Sequence, residues 1–565
     1  MAISTTSWVG QPRIKGSTES MRMFLLTVSN LGLAFCWGTE MTYCNPYLLS
    51  LGMEKSKLSL VWVAGPLSGF VMQPIIGVLS DKSTSKYGRR RPFMLGGVAA
   101  VVVCFVILGW TREIVEFFLG EGAEVERVKS WAVVLAVGDI FVLDFVINIA
   151  QSTCRALVVD TLPIEKQQLG SAWVSRQGGI GHLLVYAIGA LDLNAWLGGF
   201  LGDTQFKKVC VIAALGMAVP QCLSCWAVEE RVLVRNDKGE KGDGSSSAGE
   251  GIVEVIRHIY HTFRHLPDRV QQICNVQFFS WIGWFPFLFY GSTWVGEIYL
   301  RHEAPNSPDS NALEDVGRHG SMSMIVWSLI SFAASIVLPW CVQSPDDNEK
   351  PGYTARPPQS LEGVLKDVTS VKPSLLATWV CGNLLFAAAM LFAPMVQSVA
   401  FATVLVALCG IPWTIAGWAP ITFLGVEVNR MNSSMPIAHT RGASYHRVSS
   451  SGDAIELNSS TAEPTTLHIR HDSTASAANS STGELSGIYL GILNIYTTLP
   501  QFVGTGISWV VFSILEPGKS PELAKDARPG EHHGTDGVSG IGVCLFIGAV
   551  SSVVAAYACR KLRGG

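Results

Sequence analysis

Asp144, Asn148, Gln151 and Arg155 recur at i, i+4, i+7 and i+11 inside an otherwise apolar run. At 3.6 residues per turn, that spacing lines a carboxylate, two carboxamides and a guanidinium along one helix face. The amides and the guanidinium can bond hydroxyl groups, and the carboxylate can carry a proton. An alternative is purely structural: Asp144 and Arg155 each bond to neighbouring helices and hold a bundle together. A second run sets Trp37, Glu40, Cys44 and Tyr47 on one face of an earlier apolar segment. A lone Glu40 there is a candidate proton site, because its protonation depends on the water and charge that reach it. Helix packing through its neutral form is the plainer alternative. Trp37 and Tyr47 can stack on a ligand ring or simply pack.

Other ionisable groups in apolar surroundings are fewer and weaker candidates. Arg176 and His182 do not share a face, and Arg176 lies near enough to a segment end to snorkel. Asp160 and Glu297 fall close to segment ends, where interfacial water suffices to solvate them. The runs Gly410-Ile411-Pro412-Trp413 and Trp418-Ala419-Pro420 break regular helix, which is tolerated where a cavity or moving part satisfies the freed backbone. No H-E-x-x-H, P-loop or G-x-S-x-G in a suitable context is present, so no enzyme is indicated and ATP-driven work by this chain is disfavoured. No cofactor is implied.

The elements that position these residues belong in lipid. The 565-residue chain is 48% hydrophobic and 15% charged, outside the usual range of soluble domains. Its net charge of -3 offers a nucleic-acid partner nothing. Most of the thirteen cysteines, Cys222 and Cys225 among them, fall in apolar runs and read as small buried hydrophobes. A window of about 20 residues finds about twelve spanning candidates, six before and six after a charged, Gly/Ser-rich stretch. The expected organisation is a cytoplasmic tail over 1–22, a bundle over 23–228, a linker over 229–270, a second bundle over 271–559 and a tail over 560–565. The second bundle includes a Ser/Thr/His-rich insert at 429–481 that should be disordered. The first apolar run is too long for a signal h-region and should remain as an anchor. With both termini inside, about 27 of the 41 Lys and Arg are cytoplasmic. The loop Asp81 to Arg91 decides the orientation, with five basic residues and one acid. Two six-helix halves suggest the major facilitator architecture, with its site near the midplane between them.

The stretch AGPLSGFVMQPIIGVLSDKSTSKYGRRRPF at Ala64 to Phe93 resembles the second helix and basic loop of the sucrose transporter family. That family lies within the glycoside-pentoside-hexuronide cation symporters, and the similarity is strongest to its fungal alpha-glucoside members. CRALVVD at Cys154 to Asp160, LGLAFCWGTEMTYCNPYLLSLG at Leu31 to Gly52, GIPWTIAGWAPITFLG and GIYLGILNIYTTLPQ extend it over nearly the whole chain. The resemblance implies an all-α membrane protein of twelve helices and proton-coupled uptake of sucrose, maltose or a related alpha-glucoside. Glu40 and Asp144 would couple protons. Arg155, Asn148, Gln151, Trp37, Tyr47, Glu297 and Asn494 would meet the sugar. Asp81, Lys86, Gly88, Arg89, Arg90 and Arg91 would form a cytoplasmic gating motif. The expected partners are sugar, proton and bilayer, for a monomer in the plasma membrane or, alternatively, an organellar one. An organellar exporter and a non-transporting sugar sensor are the alternative functions. YGSTWVGEIY at Tyr290 to Tyr299 departs from the plant pattern, keeping only Glu297 of its charged residues.

Overall fold

Inside a bilayer the backbone has no partner but itself, so apolar segments of this length form helices. The computed structural model describes residues 6–81, 83–120, 122, 124–163, 166–235, 264, 266–304, 312–343, 372–434, 473–521, 523–524 and 537–564. The first lobe contains α1 (Glu19–Ser50), α2 (Lys55–Asp81, with a turn after Val61), α3 (Arg91–Gly109), α4 (Val125–Thr161), α5 (Gln167–Ala190) and α6 (Gln205–Ala227). The second contains α7 (Asp268–Ile298), α8 (Ala312–Cys341), α9 (Leu375–Met390), α10 (Val399–Leu408 running on into Gly410–Ser434), α11 (Ser473–Leu515) and α12 (Gly540–Ala558). Ten of these are apolar enough throughout to qualify as spans on length and composition alone. The other two, α5 and α7, reach spanning length but devote it to Ser, Gln, Tyr and Trp, which lowers their hydropathy.

Helices α1, α5 and α6 approach closely because glycine removes the side chain at the crossing. A Cβ on Gly181 would sit 2.7 Å from the Leu31 carbonyl oxygen, so only a bare backbone fits there. Within α1 the residues Glu40–Cys44 form a π turn. That turn shifts the phase of everything after it, so the face Trp37, Glu40, Cys44 and Tyr47 would share in a regular helix is broken. Tyr47 ends stacked on Phe206, with ring centroids 4.1 Å apart. The expected helix break near Gly410 is seen as the junction after Leu408.

Two short ladders lie beside the basic loop. Strand β1 (Thr6–Val9) pairs antiparallel with β4 (Val232–Arg235), and β2 (Arg13–Ile14) pairs with β3 (Val228–Glu229). Residues 6–14 of the tail and 228–235 at the start of the linker are thus bound to each other. Residues 236–263 and 265 of the linker and residues 435–472 of the insert lie outside the described residues. Residues 429–434 and 473–481, at the edges of the insert, are helical and extend α10 and α11.

Candidate functional site

The four polar residues of α4 descend from dry to wet. Asp144 is 0% and Asn148 3% exposed, Gln151 is half-buried, and Arg155 is exposed. Arg155 lines a cavity of about 250 Å³ with Gln73, Gly77, Ser152 and two residues of the basic-loop region, Ser80 and Arg90. That membership puts the opening at the basic-loop end of the helices. Eleven residues at 1.5 Å each separate Asp144 from Arg155 by about 16 Å, so the two do not form the pair that the spacing allowed.

Asp144 belongs instead with Glu40. Both carboxyl groups are fully buried, and neither has a hydrogen-bond partner among the described residues. The two lie within electrostatic range of each other, and Asp139 joins them as a third buried acid. An ionised carboxylate is costly in a dry site without a partner, so these groups can serve only by exchanging protons or by meeting water in another conformation. Sequence reasoning passed over Asp139, which lies off the polar stripe.

The amides below Asp144 are connected. Asn148 Nδ2 donates to Ser68 Oγ at 2.9 Å, and Trp37 Nε1 donates to Gln151 Oε1 at 3.2 Å. Asn494, from α11 in the other lobe, donates to Gln73 Oε1 at 3.3 Å. Asn148, Gln151, Trp37, Arg155 and Asn494 therefore gather toward the basic-loop half of the molecule, whereas Tyr47 lies toward the opposite end.

Glu297 lies at the outer end too, and interfacial water is not what satisfies it. Lys55 Nζ, 1% exposed, sits 2.7 Å from Glu297 Oε1 and 2.8 Å from Glu516 Oε2, whose side chains are 1% and 2% exposed. Arg301 closes the cluster at 3.0 Å from Glu516. Burial pushes the Glu516 carboxyl up, but Lys55 and Arg301 outweigh it and hold the group at about 2. Lys55 belongs to the first lobe and the other three members of the cluster to the second. Ser292 donating to the Met41 carbonyl at 3.0 Å and Arg318 meeting Asp192 at 3.1 Å close the same side. These contacts join the two lobes at the end away from the basic loop.

In the basic loop, Arg89 meets Asp160 at 2.7 Å and Asp81 at 3.4 Å, and Arg90 bonds Asp160 at 2.8 Å as well as Asp81 and Ser80. Asp160 is thus a partner of the basic loop, more than an end residue solvated by interface water. Gly88 turns the chain at φ +103°, and Lys86 is exposed over the Tyr87 ring. Glu230, between β3 and β4, accepts from the backbone N–H groups of Arg89, Arg90 and Arg91 at 2.9–3.0 Å, which caps α3. Nothing in the linker composition signals that role. Among the described residues no group of three or more His, Cys, Asp or Glu is placed to hold a metal ion.

Twelve long helices in two lobes among the described residues, with charged contacts joining the lobes at one end and a polar cavity toward the other, have the architecture of the major facilitator fold. Residues 27–260 match the family model described as MFS/sugar transport protein. It is 28% identical to the general alpha-glucoside permease of Schizosaccharomyces pombe, over 97% of this chain and 94% of that protein. It is 32% identical to the sucrose transport protein SUC4 of Arabidopsis thaliana, over 52% of this chain and 57% of that one. Among solved structures, a D-xylose-proton symporter superposes with a TM-score of 0.50 at 13% identity, covering 96% of this chain and 97% of its own. A bacterial homologue of the human drug peptide transporters superposes at 0.52 and 12% identity, over 97% and 98% of the two chains. Likeness at that identity bears on the fold alone.

Proposed function

We propose that this chain is a proton-coupled symporter of sucrose, maltose or a related alpha-glucoside, working by alternating access in the plasma membrane as a monomer. The observation that carries the reading is the pair of buried, partnerless carboxyls, Glu40 and Asp144, at the dry end of a polar face whose wet end opens toward the cytoplasm. The names of the Schizosaccharomyces and Arabidopsis relatives support the sugar class. In this reading Glu40 and Asp144 take protons while the cavity faces outward and release them when it faces inward. Arg155, Asn148, Gln151, Trp37 and Asn494 meet sugar hydroxyls and ring faces. Glu297 acts in the outer closure and Asp81 to Arg91 in the inner one. A membrane potential of 100 mV adds about 2.3 kcal/mol for each charge that enters with the sugar.

Purified protein in liposomes, given an inward proton gradient, is expected to accumulate labelled sucrose or maltose with co-movement of protons. Binding without transport would instead make it a sensor and sink the reading. Asp144→Asn and Arg155→Ala are expected to abolish accumulation while leaving membrane insertion intact. Full gradient-driven uptake by both variants would overturn the assignment on α4.

A further inference from the structure

Gln73 was not among the residues that the sequence pattern selected, yet it stands where the two lobes meet above the cytoplasmic cavity. Its side chain is half-buried and lines that cavity beside Ser152 and Arg155. The carboxamide is shared between lobes: Nε2 donates to Asn148 Oδ1 at 3.4 Å, and Oε1 accepts from Asn494 Nδ2 at 3.3 Å. Asn148 in turn donates to Ser68 Oγ and to the Asp144 carbonyl at 3.0 Å. A continuous row of polar side chains therefore runs from α2 through α4 and back to α2, and on to α11. Gly69, one turn before Gln73, keeps the row approachable. A Cβ there would lie 3.6 Å from Asn148 Oδ1 and 3.7 Å from Gln73 Nε2, whereas the bare backbone leaves that side open.

Both bonds of Gln73 are longer than the usual 2.7–3.2 Å, so exchanging either one for a ligand hydroxyl gives up a weak contact. A carboxamide offers one donor edge and one acceptor edge, which matches two neighbouring hydroxyls of a pyranose ring. We infer that Gln73 is a sugar-recognition residue whose amide trades its bond from Asn494 for bonds to substrate hydroxyls. Sugar occupancy and contact between the lobes then compete for one group. The inference rests on the alpha-glucoside reading above and adds a residue and a hydroxyl-pair chemistry to it.

The test uses the full-length protein in proteoliposomes, with maltose and a series of its monodeoxy analogues as probes. Gln73→Met keeps the length of the side chain and removes both polar edges. It is expected to raise the maltose KM on the order of tenfold, the effect of losing one or two hydrogen bonds to a ligand, with the maximal rate nearly unchanged. It is also expected to erase the penalty on one deoxy analogue while leaving the penalties on the others intact. Gln73→Glu, a second variant that keeps the acceptor edge, should lose discrimination at the hydroxyl that accepts from Nε2. An unchanged KM overturns the inference. A uniform loss for maltose and every analogue overturns it as well, since packing damage alone would do that. If the wild-type protein moves no alpha-glucoside, the functional reading fails first and is seen to fail separately.

Discussion

Glu40 and Glu297 are both buried carboxyl groups, and what separates their chemistry is counter-charge. Glu297 meets Lys55 at 2.7 Å, whereas Glu40 has no hydrogen-bond partner among the described residues. A paired carboxylate has little reason to change its proton occupancy during a cycle, and an unpaired one has every reason to. Glu40→Gln is therefore expected to cut proton-driven accumulation by at least about tenfold, while sugar exchange down its own gradient survives. Counterflow assays with and without a pH gradient measure both. Loss of exchange together with accumulation would mean that Glu40 holds the fold or the sugar and not the proton. At this scale the sequence was legible wherever the period was regular. The stripe on α4 emerged in the order that its spacing gives, with water entering at Arg155. Asp139 did not emerge, because five residues turn a helix through about 500°, leaving it about 140° away from Asp144. The face after Glu40 was misjudged because a π turn has no marker in residue types.

The elements at the cytoplasmic end make a different point. The basic loop resembled a gating motif by its residues, but besides Asp81 and Asp160 it is held by Glu230, from the segment that composition assigned to the linker. Glu230 accepts three backbone N–H bonds at the start of α3, and β3 and β4 on either side of it are fixed by pairing with β2 and β1. Strands of two to four residues leave almost no periodic signal, and their partners lie more than two hundred residues apart in sequence. That long-range pairing is what no local reading can supply. Gly88 ties the arrangement together, since its φ of +103° suits glycine and a Cβ there would lie 2.6 Å from Glu230 Oε1. Gly88→Ala is expected to cost about 1–2 kcal/mol from backbone strain alone, plus whatever Glu230 loses by moving. Glu230→Ala, which leaves three N–H groups at the helix start without their acceptor, should cost about 0.5–2 kcal/mol. Thermal unfolding in detergent compares them. Because both changes act on one contact, the double variant should lose less than the sum of the two, and strict additivity would separate the glycine from the cap.

Across the whole molecule, the side that is closed is closed by charge. Lys55 is the first lobe's contribution to a cluster in which Glu297, Glu516 and Arg301 all come from the second. Opening the outer side must pull Lys55 away from two carboxylates, so this cluster biases the equilibrium between inward-open and outward-open forms. Removing one member of a buried ionic network commonly costs about 3–5 kcal/mol. Here Lys55→Met would charge most of that cost to the outward-closed form, because in the open form the acids regain water. At about 1.4 kcal/mol per tenfold, even 3 kcal/mol shifts the balance by about a hundredfold. The shift can be read at Ser292, which is buried just inside the cluster and donates across the lobes to Met41. With Ser292→Cys as a reporter, an impermeant thiol reagent applied from outside should label the Lys55→Met protein at least about tenfold faster, whereas Lys55→Arg should keep labelling slow. The same measurement carries a pH test. Glu516 is held at about 2, below its ordinary value of 4.5. A depressed carboxylate contributes stability above its unfolded value and loses it only as pH falls through the folded one. The intact cluster thus stays charged through the range in which the transporter would work, and the parent's labelling rate, divided by that of a free thiol at the same pH, should be the same at pH 5 and pH 7. A normalised rate that rises at pH 5 would mean that the outer closure itself senses protons, and would move the coupling away from Glu40 and Asp144 to the surface of the molecule.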